Sequence, residues 1–129
     1  MAKTFMQMAE EAMAEVEGVT PQEAQQRLDQ DPGALVVDVR DAEEIPSTGL
    51  AVRGLNVSLG NLPVKADQEL PEDWRDSRLQ DRSRQIIVTC QLGPNAARGG
   101  KLLKEMGFTN VSYMEGGMEA WKAAGLPTE

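Results

Sequence analysis

The amino-acid sequence predicts an α/β fold with a central parallel sheet flanked by helices. Two short runs of consecutive apolar residues, 35–39 and 86–89, are typical of strands that are buried on both faces. Segments with helical spacing precede and follow these runs, and strands that alternate with helices indicate a parallel sheet. The length of 129 residues suits one such domain.

The first segment of the chain predicts an amphipathic helix, which is an extra element before the alternating strands and helices. Its apolar stripe consists of Phe5, Ala9, Ala12, Met13 and Val16. We predict that this N-terminal helix, within residues 1–18, packs on a main domain formed by residues 19–129. The alternative is that a Met-rich face of the helix contacts a partner or forms a homodimer. That face contains Met6, Met8 and Met13.

Helix caps, apolar runs and glycines mark the elements that follow. Residues 20–23, Thr-Pro-Gln-Glu, form a capping-box pattern that predicts a helix over 21–29, before the strand 35–39. Frequent glycine and proline between residues 41 and 84 leave only a short strand at 52–57. The remaining predicted elements are a strand at 86–89, a helix at 96–106, a strand at 111–114 and a helix at 118–124.

The residue counts exclude several classes of protein. One cysteine and no histidine exclude an internal disulfide, the usual zinc sites and any His-dependent catalytic triad, and we expect no metal or organic cofactor. Thirteen Lys and Arg against 21 Asp and Glu give a net charge of −8, which disfavours nucleic acids and anionic membranes as partners. The N-terminal segment is rich in Glu and has no continuous apolar core, so we predict a cytoplasmic protein.

Cys90 is the candidate for chemistry because it lies at the carboxyl end of the predicted strand 86–89, where ligands bind in open parallel sheets. The N–H groups and the dipole of the following helix favour an anion there, so a thiolate nucleophile needs no His partner. The alternative is that Cys90 is a small buried core residue, as free cysteines often are. The spacing alone leaves both interpretations open.

Several short motifs occur in a fixed order along the chain. They are Asp38-Val39-Arg40 with Glu43-Glu44, then Gly49, Gly54 and Asn56, the strand into Cys90, the segment 106–111, and Glu-Gly-Gly-Met-Glu-Ala-Trp at 115–121. Together these motifs resemble the single-domain rhodanese family from about Val19 to the C-terminus. The resemblance implies a rhodanese-like domain, in which a six-residue loop opened by the cysteine curls its backbone N–H groups around the thiolate.

The resemblance also implies a sulfurtransferase. In this family the cysteine takes sulfane sulfur from a small anionic donor such as thiosulfate, becomes a persulfide, and passes the sulfur to cyanide, a thiol or a protein acceptor. Carried over to this chain, the nucleophile is Cys90. The residues that would hold the donor are Gln91, Leu92, Gly93, Pro94 and Asn95 of the loop, together with Arg40.

The loop departs from the pattern of active members of the family. They commonly have Arg at the sixth loop position, Ser or Thr after it and often Arg after the cysteine, whereas these positions are here Asn95, Ala96 and Gln91. Pro94 also lacks an N–H group to donate. We expect anion capture to weaken and Asn95 to cap the following helix. The remaining, more distant cations are Arg40, Arg53 and Arg98.

Three functions follow as hypotheses. The first is a sulfurtransferase that acts through a Cys90 persulfide, and its alternative is a catalytically weak or inactive module that binds proteins or a sulfur carrier. The third is a cysteine phosphatase, which requires Arg after five intervening residues; Ala96 stands there, and we set this hypothesis aside.

Away from the loop we expect structural roles for the remaining motif residues. Asp38 and Arg40 form a loop tie, which means that they hold neighbouring loops by hydrogen bonds or an ion pair. Gly116 and Gly117 form a turn, and Trp121 is a core residue.

Overall fold

The computed structural model describes residues 2–129 and contains a five-stranded sheet with helices on both faces. The strands are β1 (Glu17–Val19), β2 (Leu35–Asp38), β3 (Gly54–Asn56), β4 (Ile86–Thr89) and β5 (Val111–Met114). The helices are α1 (Phe5–Glu15), α2 (Pro21–Gln30), α3 (Leu62–Lys65), α4 (Pro94–Glu105) and α5 (Gly117–Ala123). All neighbouring strands are parallel, in the order β1-β5-β4-β2-β3, so the predicted fold class is confirmed.

Strands β2 and β4 form the centre of the sheet, and every residue in both strands is buried. They pair directly, with Val37 opposite Val88. On one face these two residues pack in a cluster with residues of α1, α3 and α4. On the other face Val36 packs in a cluster with residues of α2 and α5. Trp121 of α5 is fully buried in this second cluster, which confirms its predicted core position.

Most predicted elements are present, with small shifts at their ends. The predicted helix 21–29 is α2, and its capping box is formed by Thr20 and Glu23. The sequence does not predict β1, because three residues that include Gly18 show no strand periodicity; β1 forms by pairing with β5. The domain boundary predicted after Gly18 falls within β1 and stays a prediction.

Helix α1 packs against α4, which confirms that it docks on its own domain. Its buried residues are Ala9 and Ala12. A Cβ atom on Gly100 of α4 would come within 2.9 Å of Val16 Cγ1, so the absence of a side chain at Gly100 permits the close approach of the two segments. The exposed apolar residues of α1 are Phe5, Met6 and Met8. A homodimer contact through this face stays a prediction.

The segment between β2 and β4 is built from short pieces, as its glycines and prolines predict. It contains β3, α3 and three 3₁₀ segments: Ala42–Ser47, Glu72–Trp74 and Ser77–Leu79. The first of these follows β2 at the carboxyl edge of the sheet and therefore lies beside the loop that follows β4. None of the helices within residues 2–129 is long and apolar enough to cross a membrane.

Candidate active site

Cys90 lies at the centre of the carboxyl edge of the sheet, directly after β4. The residue is buried, and its Sγ accepts hydrogen bonds from the backbone N–H groups of Gly93 at 3.0 Å and of Ala96 at 3.2 Å. We call these two N–H groups the sulfur cradle. Cys90 therefore belongs to the core, and its sulfur also faces two oriented N–H groups. Its role as a nucleophile stays a prediction.

Gly93 shapes the sulfur cradle through its backbone conformation. Its φ of +122° is one that side chains with a Cβ atom rarely adopt, and it turns the chain so that α4 begins at Pro94. Proline at the first helical position costs no hydrogen bond, because a backbone N–H at that position would have no acceptor within the helix. The prediction that Asn95 caps this helix is wrong: Gly93 is the N-cap, and the Asn95 side chain accepts a hydrogen bond from Arg98.

The start of helix α5 forms hydrogen bonds with the backbone of the cysteine loop. The N–H groups of Met118 and Glu119 donate to the carbonyl oxygens of Cys90 at 2.7 Å and Gln91 at 3.2 Å. A Cβ atom on Gly117 would lie 2.5 Å from the Cys90 carbonyl oxygen, and the φ of Gly117 is +61°. The turn predicted at Gly116 and Gly117 is therefore confirmed, and the absence of a side chain at Gly117 lets the start of α5 reach the loop backbone.

Asp38 and Arg40 form a buried ion pair at the end of β2. Arg40 Nη2 lies 2.7 Å from Asp38 Oδ2, and each side chain is 1% exposed. Arg40 Nη1 also donates to Thr48 Oγ1 at 2.9 Å and to the side-chain carbonyl of Gln91 at 3.0 Å. The predicted loop tie is confirmed. Because the guanidinium already has these acceptors, a contact between Arg40 and a donor molecule stays a prediction.

Gln91 connects two elements on either side of the cysteine loop. Its side-chain oxygen accepts from Arg40, and its side-chain nitrogen donates to Glu119 Oε2 at 3.1 Å. The amide therefore bridges a buried cation and a surface carboxylate. This position often carries Arg in the family that the sequence resembles, and here its side chain fixes the loop backbone next to Cys90.

An open pocket of about 330 Å³ lies at Cys90. Four of the five predicted donor-holding residues of the loop line it: Gln91, Leu92, Pro94 and Asn95. Leu92 is 60% exposed and stands at the rim. Gly93 contributes its N–H group to the sulfur cradle instead of a pocket surface. The loop, the cysteine and Arg40 are therefore brought together as predicted.

The pocket has further walls that sequence reasoning does not identify. They contain Phe5, Val39, Asp41, Glu44 and Leu59. Asp41 and Glu44 have a recognisable signal, since they follow β2 at the carboxyl edge of the sheet. Phe5 has none, because only the packing of α1 on α4 brings the N-terminal segment to this pocket.

The two distant arginines have different positions. Arg98 lies in α4 and lines the pocket. Arg53 donates instead to backbone carbonyls of Leu28, Asp31 and Ala34, at the opposite edge of the sheet. The expectation that Arg53 helps to hold an anion near Cys90 is wrong, because it precedes β3 and therefore lies at the amino edge of a parallel sheet.

Several relatives and solved structures are similar to this chain. Thiosulfate sulfurtransferase GlpE of Pseudomonas savastanoi pv. phaseolicola is 30% identical over 113 residues, which cover 86% of this chain and 92% of the relative. Thiosulfate sulfurtransferase 16, chloroplastic, of Arabidopsis thaliana is 35% identical over 98 residues, which cover 75% of this chain and 81% of that protein.

Two solved structures share most of the fold. A protein of unknown function from Rhodopseudomonas palustris, described as a possible tyrosine phosphatase, has a TM-score of 0.90 at 26% identity and covers all of this chain and 96% of its own. The polysulfide-sulfur transferase homodimer of Wolinella succinogenes has a TM-score of 0.74 at 28% identity, covering 94% of this chain and 83% of its own. The family model for the rhodanese-like domain matches residues 20–124, which include the sulfur cradle and the Gly116–Gly117 turn. The chain therefore belongs to the rhodanese-like domain family.

Proposed function

We propose that this protein is a sulfurtransferase that carries sulfane sulfur as a persulfide on Cys90. Two features support this most strongly. Two backbone N–H groups, the sulfur cradle, donate hydrogen bonds to Sγ, and Cys90 lines an open pocket. A buried structural cysteine needs neither feature. The names of the relatives, two of them thiosulfate sulfurtransferases and one a polysulfide-sulfur transferase, agree with this chemistry.

In the first half-reaction the Cys90 thiolate attacks the outer, sulfane sulfur of an anionic donor. A bond forms between Sγ and that sulfur, and the sulfur–sulfur bond of the donor breaks. The leaving group departs with the electron pair, as sulfite when the donor is thiosulfate. The N–H groups of Gly93 and Ala96 hold Sγ in place and stabilise its negative charge before the attack.

In the second half-reaction a nucleophile takes the outer sulfur from the persulfide. Cyanide or a thiolate attacks that sulfur, the Sγ–S bond breaks, and Sγ recovers the electron pair as a thiolate. The sulfur cradle again stabilises the charge that appears on Sγ. Splitting the transfer into two steps lets donor and acceptor use the same pocket in turn.

No general base is required for either half-reaction. The attacking form of Cys90 is the thiolate, and both leaving groups are anions that need no proton at the moment of bond cleavage. The absence of histidine from the sequence is therefore compatible with sulfur transfer. It is less compatible with acyl transfer, where the leaving amine or alcohol must take up a proton.

Phosphoryl transfer fits the site poorly. A phosphate dianion needs a guanidinium clamp directly over the nucleophile, and the position that would supply it is Ala96, which is fully buried. Its N–H group is used by Sγ. We therefore expect no hydrolysis of aryl phosphates.

Sulfur loading is measured by intact mass spectrometry after incubation with thiosulfate or with a polysulfide. We expect a gain of about 32 Da, one sulfur atom, which cyanide removes with formation of thiocyanate. The control is Cys90→Ser, which keeps the size of the side chain and must show no gain while retaining the far-UV spectrum of the wild type. A folded wild-type protein that gains no sulfur from either donor supports the alternative, a binding module without chemistry.

A further inference from the structure

Arg98 is a charged residue of the Cys90 pocket that has unused hydrogen-bond donors. It donates one hydrogen bond, from Nη1 to Asn95 Oδ1 at 3.0 Å. Among the ion pairs formed within residues 2–129, none includes Arg98. The residue is partly exposed and lines the pocket. A guanidinium has five N–H donors, so most of those on Arg98 are available to a molecule in the pocket.

The N-terminal helix α1 holds this guanidinium in position. The Cζ atom of Arg98 lies 5.6 Å from the centroid of the Phe5 ring, and a cation over an aromatic face is attracted by it. Phe5 is the first residue of α1, which is anchored on α4 by its buried alanines. The ring and Asn95 therefore restrict the Arg98 side chain from two sides, which lowers the entropy that it loses when it binds an anion.

The other cation of the pocket is already neutralised. Arg40 is paired with Asp38, and both side chains are buried. The pocket lining also contains two carboxylates, Asp41 and Glu44. A pocket with one unpaired guanidinium and two carboxylates favours a molecule with one negative charge over one with two, because each added negative charge near the carboxylates is repelled.

Part of the pocket surface is apolar and suits an organic group. Val39, Leu59 and Phe5 line it, and Leu92 stands at the rim. Sites for small organic molecules combine apolar side chains with polar groups that fix the orientation of the molecule. A ligand that fits both features has an anionic end for Arg98 and an apolar body for these side chains.

We propose that Arg98, held over the Phe5 ring, binds the anionic group of the molecule that reacts with Cys90, and that the pocket selects organic monoanions over small dianions. For the identity of the reaction this inference rests on the proposed function. The donor class is then an organic thiosulfonate: Sγ attacks its sulfane sulfur, the new Sγ–S bond forms, the sulfur–sulfur bond of the donor breaks, and a sulfinate leaves with the electron pair.

The anion site is tested without any sulfur transfer. Cys90 is alkylated with iodoacetate, which is anionic, and with iodoacetamide, which is neutral and similar in size; the ratio of the two second-order rate constants is measured. A change in the amount of thiolate affects both rates equally and cancels in this ratio. The ratio therefore reports only the attraction of the pocket for the negative charge.

We expect Arg98→Gln to lower the ratio by about tenfold, the effect of losing one charge-assisted hydrogen bond. Arg98→Lys lowers it less, because the charge remains without the flat guanidinium over the ring. The control is Arg82→Gln, which removes the same charge from an exposed position at the opposite edge of the sheet. An unchanged ratio in Arg98→Gln, an equal fall in Arg82→Gln, or a Cys90 that reacts with neither reagent overturns the proposal.

The contribution of α1 is tested with Phe5→Leu. We expect the ratio to fall by about two- to threefold, which corresponds to an exposed cation–π contact. Met6→Leu is the matched control, because Met6 is 46% exposed on the same helix and Phe5 is 44% exposed. If Phe5→Leu leaves the ratio unchanged, the positioning role of the ring is wrong.

The donor class is tested by comparing kcat/KM for benzenethiosulfonate and for thiosulfate with cyanide as acceptor. We expect benzenethiosulfonate to be the better donor by at least about tenfold, with Arg98→Gln raising its KM more than it lowers kcat. A preference for thiosulfate contradicts the proposed selectivity. If neither donor loads Cys90 while the alkylation ratio still depends on Arg98, the proposed function fails and the anion site stands.

Discussion

The Arg40 guanidinium donates a hydrogen bond to the side-chain oxygen of Gln91 at 3.0 Å, across 51 positions of the chain. Gln91 in turn donates to Glu119 at 3.1 Å. The residue after Cys90 is thereby fixed from two sides, by the end of β2 and by the start of α5. A loop that must aim two N–H groups at Sγ benefits from such support, because small displacements weaken both bonds.

Removing the Gln91 amide is predicted to loosen the cysteine loop. Gln91→Met keeps the length of the side chain but leaves Arg40 Nη1 with one acceptor fewer, so the free energy of unfolding should fall by about 1 kcal/mol and sulfur loading should slow. Urea unfolding and the rate of loading measure the two effects. Gln26→Met, at an exposed position on α2, is the control and should change neither; equal behaviour of the two variants would contradict the supporting role.

Removing only one partner of the ion pair between Asp38 and Arg40 is predicted to destabilise the protein strongly. Arg40→Met leaves a buried carboxylate without its cation, which should lower the free energy of unfolding by about 3–5 kcal/mol. The double variant Asp38→Asn, Arg40→Met removes the stranded charge and should recover a large part of this loss. Urea unfolding of the two variants provides the comparison, and a single variant that is no less stable than the double one rules this explanation out.

Gly117 is predicted to be intolerant of any side chain. Gly117→Ala forces a Cβ atom against the Cys90 carbonyl oxygen, at a starting distance of 2.5 Å, in addition to the cost of a positive φ. Gly125→Ala is the matched control, because Gly125 also has a positive φ of +71° but open space around it. We expect Gly125→Ala to cost about 1 kcal/mol and Gly117→Ala about 1–3 kcal/mol more, with slower sulfur loading only in the latter.

Acid is predicted to weaken the attachment of β1 to α2. Arg27 donates hydrogen bonds to the Glu17 carboxylate at 2.8 and 3.0 Å, which lowers the pKa of Glu17 from its ordinary value of 4.5. A lowered pKa in the folded state means that this stabilisation is fully present above pH 4.5 and is lost as the pH falls through the lowered value.

Because the pair is exposed, its contribution is about 0.2–1 kcal/mol. Thermal unfolding of the wild type and Glu17→Gln is compared at pH 7 and at pH 3. We expect the wild type to be the more stable at pH 7 and the difference to shrink at pH 3. A difference that stays constant between the two pH values would mean that the carboxylate of Glu17 does not act through its charge.

The sequence predicts the unit of β4, Cys90 and α4 well because its signals are local. The apolar run 86–89 defines the strand, and the glycine and proline that follow define the loop. The local signal is misleading only at Asn95, a good capping residue in general, because the positive φ of Gly93 starts the helix earlier. Local signals therefore place Cys90 at the carboxyl end of β4, before the loop and helix whose N–H groups form the sulfur cradle.

Sequence reasoning does not find the long-range contacts that complete the site. From the sequence, Gln91 is only a residue that stands where the family often has Arg. Its bridge between Arg40 and Glu119 exists only because β2 and α5 meet at the loop. Phe5 reads as part of an apolar stripe, and its place beside Arg98 depends on the packing of α1 on α4. These relationships come from tertiary packing, which periodicity and caps do not encode.

The most direct test of the account is the backbone amide spectrum of ¹⁵N-labelled protein before and after sulfur loading. If Cys90 carries the persulfide in the sulfur cradle, the N–H signals of Gly93 and Ala96 shift on loading and return when cyanide removes the sulfur. The same treatment of Cys90→Ser leaves both signals in place. A wild-type protein that gains sulfur while these two signals stay unchanged, or that gains none, contradicts the account.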